Sequence, residues 1–247
     1  MISINTNNGG LFAAKAASQS QAAIDSAMQR LSTGSRINNA RDDAAGQAIS
    51  TRLTAEIQGL EIASRNVADG QSLIDTAEGA LQETHTLLLR MREIGVQAAN
   101  GTLSSSDNEA LDAEFQQLVK EIDRIAQNTT WAGTALLNGN AGTVDTTVTL
   151  SFQAGVGNNS GNDVFDVTIK NADSTTLDIF AANATTATDN DVNLSDQTNA
   201  QSAIGIVDTA IATVSSERAN LGAVSNRMSS TMANCDQIRG TLTASNG

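Results

Sequence analysis

Residues 49–94 read ISTRLTAEIQGLEIASRNVADGQSLIDTAEGALQETHTLLLRMREI. Small or apolar residues recur through this stretch as Ile49, Leu53, Ile57, Leu60, Ala63, Val67, Gly70, Ile74, Ala77, Leu81, Thr84, Leu88, Met91 and Ile94. Each step is three or four residues, which places every one of them on a single stripe of an α-helix. A stripe kept up over so many turns is a coiled-coil seam. If residues 44–99 form one helix, it is about 80 Å long at 1.5 Å per residue. Such an element cannot bury its seam alone and needs partner helices beside it.

The same chain offers partners. Leu111, Phe115, Leu118, Ile122 and Ile125 repeat at steps of four and three. Ser106, with Glu109 three residues later, predicts a capping box that starts this second helix. Gly101 marks the break before it. A third set runs Ile204, Val207, Ile211, Val214, Leu221, Val224, Met228, Cys235, Ile238 and Leu242, with Arg218 and Thr231 filling the skipped steps. The expected seam core is Ile57, Leu60, Val67, Ile74, Leu81, Leu88, Leu118, Ile122, Val214, Leu221, Met228 and Cys235. The fold class predicted is mainly α: a long antiparallel helical rod or coiled-coil bundle with a small β-hairpin-rich insert.

Composition supports helices packed through small aliphatic residues. Among 247 residues only 2% are aromatic and none is proline. Proline removes a backbone donor and clashes with the preceding turn, so its absence permits long uninterrupted helices. Residues 1–139 and 199–247 are rich in helix formers, whereas 140–198 shift to Thr, Asn, Asp, Gly and Val. The divisions expected are an N-terminal assembly helix and linker (1–43), the N-terminal half of a rod (44–139), a β-rich variable insert (140–198) and the C-terminal helix of the rod (199–247). In the insert, Val148, Leu150 and Phe152 alternate, as do Phe165, Val167 and Ile169, and Leu177 with Ile179 suggests a third short strand. Gly155 to Gly161 reads as a turn. The Ala-rich helix Leu11–Thr33 has few large anchors and is expected to order only when something covers it.

A net charge of −13 argues against nucleic acid, because such a surface repels phosphates. It gives no attraction to anionic lipid either, and no apolar run approaches the ~20 residues needed to span a bilayer. The polar N-terminus lacks the pattern of a cleaved secretory signal.

Longer motifs carry a family resemblance. The N-terminal arm contains MISINTN, LSTGSRINNARDDAAGQAIS (31–50), IASRNVADGQSLIDTAEGAL (62–81), LRMREIGVQAANGT (89–102) and EIDRIAQNTTWAGTALLNG (121–139). The C-terminal arm contains ERANLGAVSNRM (217–228). In content and order these resemble bacterial flagellin. The resemblance implies a secreted, extracellular structural subunit of the bacterial flagellum, self-assembling into a filament for motility and leaving the cell unfolded through the flagellar export channel. It implies as partners the chain itself, hook-associated and cap proteins, a flagellar export chaperone, and the innate-immune Toll-like receptor for flagellin. Arg90, Arg92, Glu93, Ile94, Gln97 and Glu114 match the surface that receptor grips, against the plainer reading of a charged helix face laced by i,i+4 pairs. The resemblance also implies several dozen further residues past Gly247, pairing with the N-terminal helix. A truncated form and an atypical member both remain open. Rival functions are a hook-filament junction protein, or an adhesin or enzyme displayed on a flagellin frame.

Catalytic chemistry finds little support. His85 is the single histidine and lies beside the seam at the edge of a solvated face; no cofactor is expected, and a metal site needs several ligands at defined spacing. No nucleophile elbow or triad pattern appears. Cys235 falls on the seam seven residues after Met228, as a small buried side chain or, alternatively, a reactive or dimer-forming thiol. Gly155-Val156-Gly157 lacks the helix and lysine of a phosphate loop. Triplets such as Asn128-Thr129-Thr130 and Asn183-Ala184-Thr185 follow from composition.

Overall fold

A computed structural model describes residues 7–138, 147–159, 161–179 and 192–246. The Asn183-Ala184-Thr185 triplet lies outside them. Along the chain come α1 (Asn8–Thr33), α2 (Ala44–Ala98), α3 (Ser105–Asn128), β1 (Thr130–Trp131), β2 (Thr134–Ala135), β3 (Thr147–Gln153), β4 (Val164–Lys170) and α4 (Gln197–Asn246). The fold is mainly α with small antiparallel sheets. The chain divides into two units, residues 1–59 with 237–247, and residues 60–236.

In the first unit, α1 is closed at both ends by its own sequence. The Asn7 side chain accepts from the Gly10 N–H, and Gly34 ends the helix at φ 69° with its N–H on the Arg30 carbonyl. A left-handed residue there costs glycine nothing, which is why the helix stops at that point. None of its residues is buried. Between α1 and α2, the Asp42 carboxylate accepts the Asn38 and Asn39 N–H groups, and Asp43 accepts that of Gly46 at the start of α2. Ile49 is exposed and Leu53 half-buried. Ile57, expected in the seam core, is also only half-buried. The α4 residues of this unit offer as large apolar side chains only Ile238, itself exposed, and the half-buried Leu242.

The second unit contains the core. Along α2 the buried residues are Leu60, Ala63, Val67, Gly70, Leu73, Ile74, Ala77, Leu81, Thr84, Leu88, Met91, Ile94, Gly95 and Ala98. Thr84 satisfies its hydroxyl on the Ala80 carbonyl, one turn back. In this unit α4 runs antiparallel to α2, since partner numbers rise on one helix as they fall on the other: Arg92 with Asp208, Glu78 with Arg218, Gln71 with Ser225 and Ser229. From α4 come Ala200, Ala203, Val207, Ala210, Val214, Leu221, Met228 and Cys235. Small residues face large ones across the seam, as close helix packing requires.

Helix α3 starts two residues earlier than the sequence suggested. Its cap is Ser104, whose hydroxyl oxygen accepts the Asp107 N–H while the Asp107 carboxylate accepts the Ser104 N–H. The run Ser104-Ser105-Ser106 offers two capping frames, and the shorter aspartate closes the box at the first. The buried stripe keeps Phe115 and Ile122 as expected but takes Val119 and Ala126 in place of Leu118 and Ile125. Phe115, Val119, Ile122 and Ala126 are buried, whereas Leu111, Leu118 and Ile125 are half-buried beside them. Leu118, expected in the seam core, therefore flanks it, because side-chain size drew the expected stripe one residue off the true facing line at that step.

After α3, β1 and β2 pair through the two-residue turn Ala132-Gly133, both at positive φ (49° and 85°). This is the turn geometry that matches the twist of a tight hairpin. Strands β3 and β4 pair antiparallel in the register Val148↔Ile169, Leu150↔Val167 and Phe152↔Phe165, so the two alternating triplets share one face. The suggested third strand is absent from the described residues: Leu177 and Ile179 are buried, but within a hydrogen-bonded turn in which Ile179 N–H reaches the Ser174 carbonyl and Asp178 sits at φ 57°. Acidic and amide side chains of α3 pin these loops. Asp123 accepts the Ser174 N–H, Asp112 accepts the Leu194 N–H, and Gln116 donates to the Val192 carbonyl.

Candidate interaction surface

The short link between α2 and α3 turns the chain back, so residues far apart in sequence share one outer face. Arg90 on α2 donates from Nε (3.1 Å) and Nη2 (2.8 Å) to Glu114 Oε1 on α3, and from Nη1 to Glu93 Oε2 at 3.1 Å. These bonds, Glu114 first and Glu93 second, favour the charged guanidinium and raise its pKa further above an already high value. All three side chains are roughly half or more exposed, at 51%, 45% and 69%, so the network orients charge more than it stabilises the fold. Arg92 points instead toward α4, where its Nε donates to Asp208 Oδ1 at 2.6 Å and its pKa is likewise raised. Gln97 is exposed.

Ile94 does not belong to this face. It is 1% exposed, buried in the core. Two steps of three beyond Leu88, through Met91, it would point outward only if the seam ended early, and the seam continues to Ala98. Gly95 is also buried, and a Cβ there would lie 3.1 Å from Ile204 Cγ1, so α4 packs closely at this point. The exposed apolar residues are Leu89 (44%) and Val96 (52%), which lie with Glu93 on one stripe at i, i+4 and i+7. Sequence reasoning missed both, although their spacing off the seam was a usable signal.

His85 is half-buried. Cys235 is buried, its thiol directed at the Ala154 carbonyl 3.6 Å away, and burial pushes its pKa up. Among the described residues, no helix is long and apolar enough to cross a membrane, and no cluster of three or more His, Cys, Asp and Glu stands ready for a metal ion.

The chain matches the family model for the bacterial flagellin N-terminal helical region over residues 4–142 and that for the C-terminal helical region over residues 204–247. The chain belongs to the bacterial flagellin family. It is 46% identical over 218 residues to a flagellin of Halalkalibacterium halodurans, covering 88% of this chain and 74% of the relative. A Flagellin A of Vibrio anguillarum is 45% identical over 154 residues, and there the chain spans only 39% of the relative's length. The crystal structure of Bacillus cereus flagellin superposes with a TM-score of 0.53 at 32% identity, covering 69% of this chain and 88% of that one. A putative flagellar hook-associated protein from Vibrio parahaemolyticus superposes at TM-score 0.65 over 85% of this chain, but at 13% identity the likeness is one of fold alone. The family places the chain in the flagellar filament as a self-assembling structural subunit for motility, not as an enzyme.

Proposed function

We propose that the outer face of the α2–α3 hairpin, centred on Arg90, Glu93 and Glu114, is a protein-recognition surface with two uses: packing against neighbouring subunits in the filament, and binding by the innate-immune Toll-like receptor for flagellin. The observation that supports this is the charge network spanning two helices with exposed Leu89 and Val96 beside it. An arginine held in place by its neighbours loses less freedom on binding, and apolar side chains beside it supply desolvated area. Leu89 and Val96 replace Ile94 as the anchors.

Assembly draws also on α1. Ile24, Met28 and Leu31 form a stripe at i, i+4 and i+7 and are 56%, 63% and 81% exposed. Burying each against another subunit contributes up to about 1.5–3 kcal/mol, which offsets part of the entropy lost on ordering. The chain works outside the cell after passing through the flagellar export channel, with an export chaperone covering such faces beforehand and cap and hook-associated proteins meeting it at the filament end.

The test is receptor binding by folded monomer, with circular dichroism confirming each variant's helices. Arg90→Ala is expected to weaken binding by ~2 kcal/mol or more as a central hot spot, and assembled filaments to bind poorly. Unchanged affinity in a well-folded Arg90→Ala, Glu114→Ala double variant refutes the receptor assignment. Seeded filament growth read by light scattering tests the other use: Met28→Asp should abolish it, and undiminished growth removes α1 from the assembly surface.

A further inference from the structure

The link between α2 and α3 carries the sequence Ala99-Asn100-Gly101-Thr102. Asn100 and Gly101 are both exposed, at the point where the helical ladder has ended. The ladder's last bonds run from the Ala99 N–H to the Gly95 carbonyl and from the Asn100 N–H to the Gln97 carbonyl. The next amide, Gly101 N–H, makes no hydrogen bond among the described residues. The one after it, Thr102 N–H, donates to Asn100 Oδ1 at 3.3 Å. The asparagine side chain is thus folded forward over its own following peptide, with its amide oxygen held by a donor and the intervening nitrogen left unengaged.

From this geometry we propose that Asn100 is a self-modifying site, at which the chain deamidates without an enzyme. Gly101 N attacks Asn100 Cγ, and the new N–C bond closes a five-membered succinimide. Negative charge develops on Oδ1 during attack, where the Thr102 N–H already donates. The Cγ–Nδ2 bond then breaks, and ammonia leaves carrying the proton from Gly101 N. Water adds to either ring carbonyl and opens it to aspartate or isoaspartate. The reaction needs only water, and glycine at 101 leaves the attacking nitrogen without a neighbouring side chain. Asn8-Gly9 has the same pair of residues but lies within the first turn of α1, where helical backbone resists the rotation that ring closure needs.

The product changes the hairpin locally. A carboxylate at residue 100 sits just past the C-terminal end of α2, the end whose partial charge is negative, and is disfavoured there. Isoaspartate adds a methylene to the backbone of the link itself.

Gly101→Ala provides a clean control. Gly101 is not at positive φ, and a Cβ there would meet only Gln197, at 3.4 Å, an ordinary contact. The experiment follows the full-length chain through incubation at mildly alkaline pH, native and in urea, by peptide mass spectrometry with separation of aspartate from isoaspartate. In the native chain Asn100 should convert ~tenfold or more faster than the half-buried Asn38 and the exposed Asn39, consistent with a pre-positioned intramolecular attack. Gly101→Ala should slow Asn100 by a similar factor, with an unchanged circular dichroism spectrum. Native Asn100 should convert at least as fast as Asn100 in urea. Slower conversion in the native chain overturns the proposal, as does conversion no faster than at Asn38 and Asn39.

Discussion

Leu81 sits mid-way along the buried stripe of α2, 1% exposed and within the cluster that joins α2, α3, α4 and the β3–β4 hairpin. Replacing it with alanine removes three carbon atoms from a site with no solvent access. The transfer term alone is about 2.4 kcal/mol at ~0.8 per methylene. A residual cavity adds to this, because helices locked on both sides by other large residues collapse poorly into the space, giving about 3–4 kcal/mol in all. For a body the size of residues 60–236 that corresponds to a fall of roughly 6–16 °C in thermal midpoint. His85, four residues further on, is half-buried and outside the core cluster. His85→Ala should therefore cost under about 1 kcal/mol. Urea titration followed by circular dichroism, with thermal melts alongside, measures both. Equal losses from the two substitutions would refute the packing argument, since they would mean that burial along α2 does not set the energetics.

Other expectations follow from particular contacts. The Ser104 side chain and backbone hold the Asp107 carboxyl below the usual aspartate range, so the cap's contribution is present above about pH 4 and is lost as pH falls through the lower folded value. The thermal-midpoint gap between the native chain and Asp107→Asn should accordingly close in strong acid, and a gap independent of pH would exclude this cap as its source. Ala132 occupies a left-handed turn position, so Ala132→Asn should stabilise the β1–β2 hairpin by about 0.5–1 kcal/mol in urea titrations; destabilisation would argue against the turn. The Cys235 thiol should resist alkylation in the native chain and react promptly in urea, whereas rapid native labelling would place it at the surface. Hydrogen exchange on verified monomer should find α1 amides far less protected than those of α2 between Leu60 and Ala98, and comparable protection would show that α1 is covered.

The sequence was most informative where one physical constraint dominated. The α2 stripe from Leu60 to Ile94 was legible because a long helix with a single buried line admits one frame. The β3–β4 pairing was legible because two alternating triplets share a face. Helix α3 was harder. Leu118 and Ile125 are larger than Val119 and Ala126, yet the smaller residues face the core, and only the neighbouring helices decide that. The Leu177–Ile179 alternation misled because two buried residues two apart also fit a turn, once Asp178 accepts a positive φ. The β1–β2 hairpin went unread because Ala-Gly carries less turn signal than Asn-Gly. Ile94 shows the deepest limit: one residue was expected both on the seam and on the outer face, and periodicity alone already favoured the seam.

Gly70 leaves a notch in α2 that two other elements fill. A Cβ at that position would stand 3.0 Å from Met228 Cε and 3.3 Å from the Phe152 ring. Helix α4 and the β3 strand thus both reach into the space that a side chain at Gly70 would take. Axial sliding of α2 by one turn, about 5.4 Å, would bring Asn66 or Ile74 to the notch and drive a side chain into the space the ring occupies. Shear along the helix axes therefore meets a steric stop as well as a smooth apolar seam. A seam of repeating small and large residues, by itself, offers similar packing at successive settings; the filled notch makes one of them unique. A subunit that carries torque along its length gains a fixed zero point for elastic deformation, to which the helices return when the load is released.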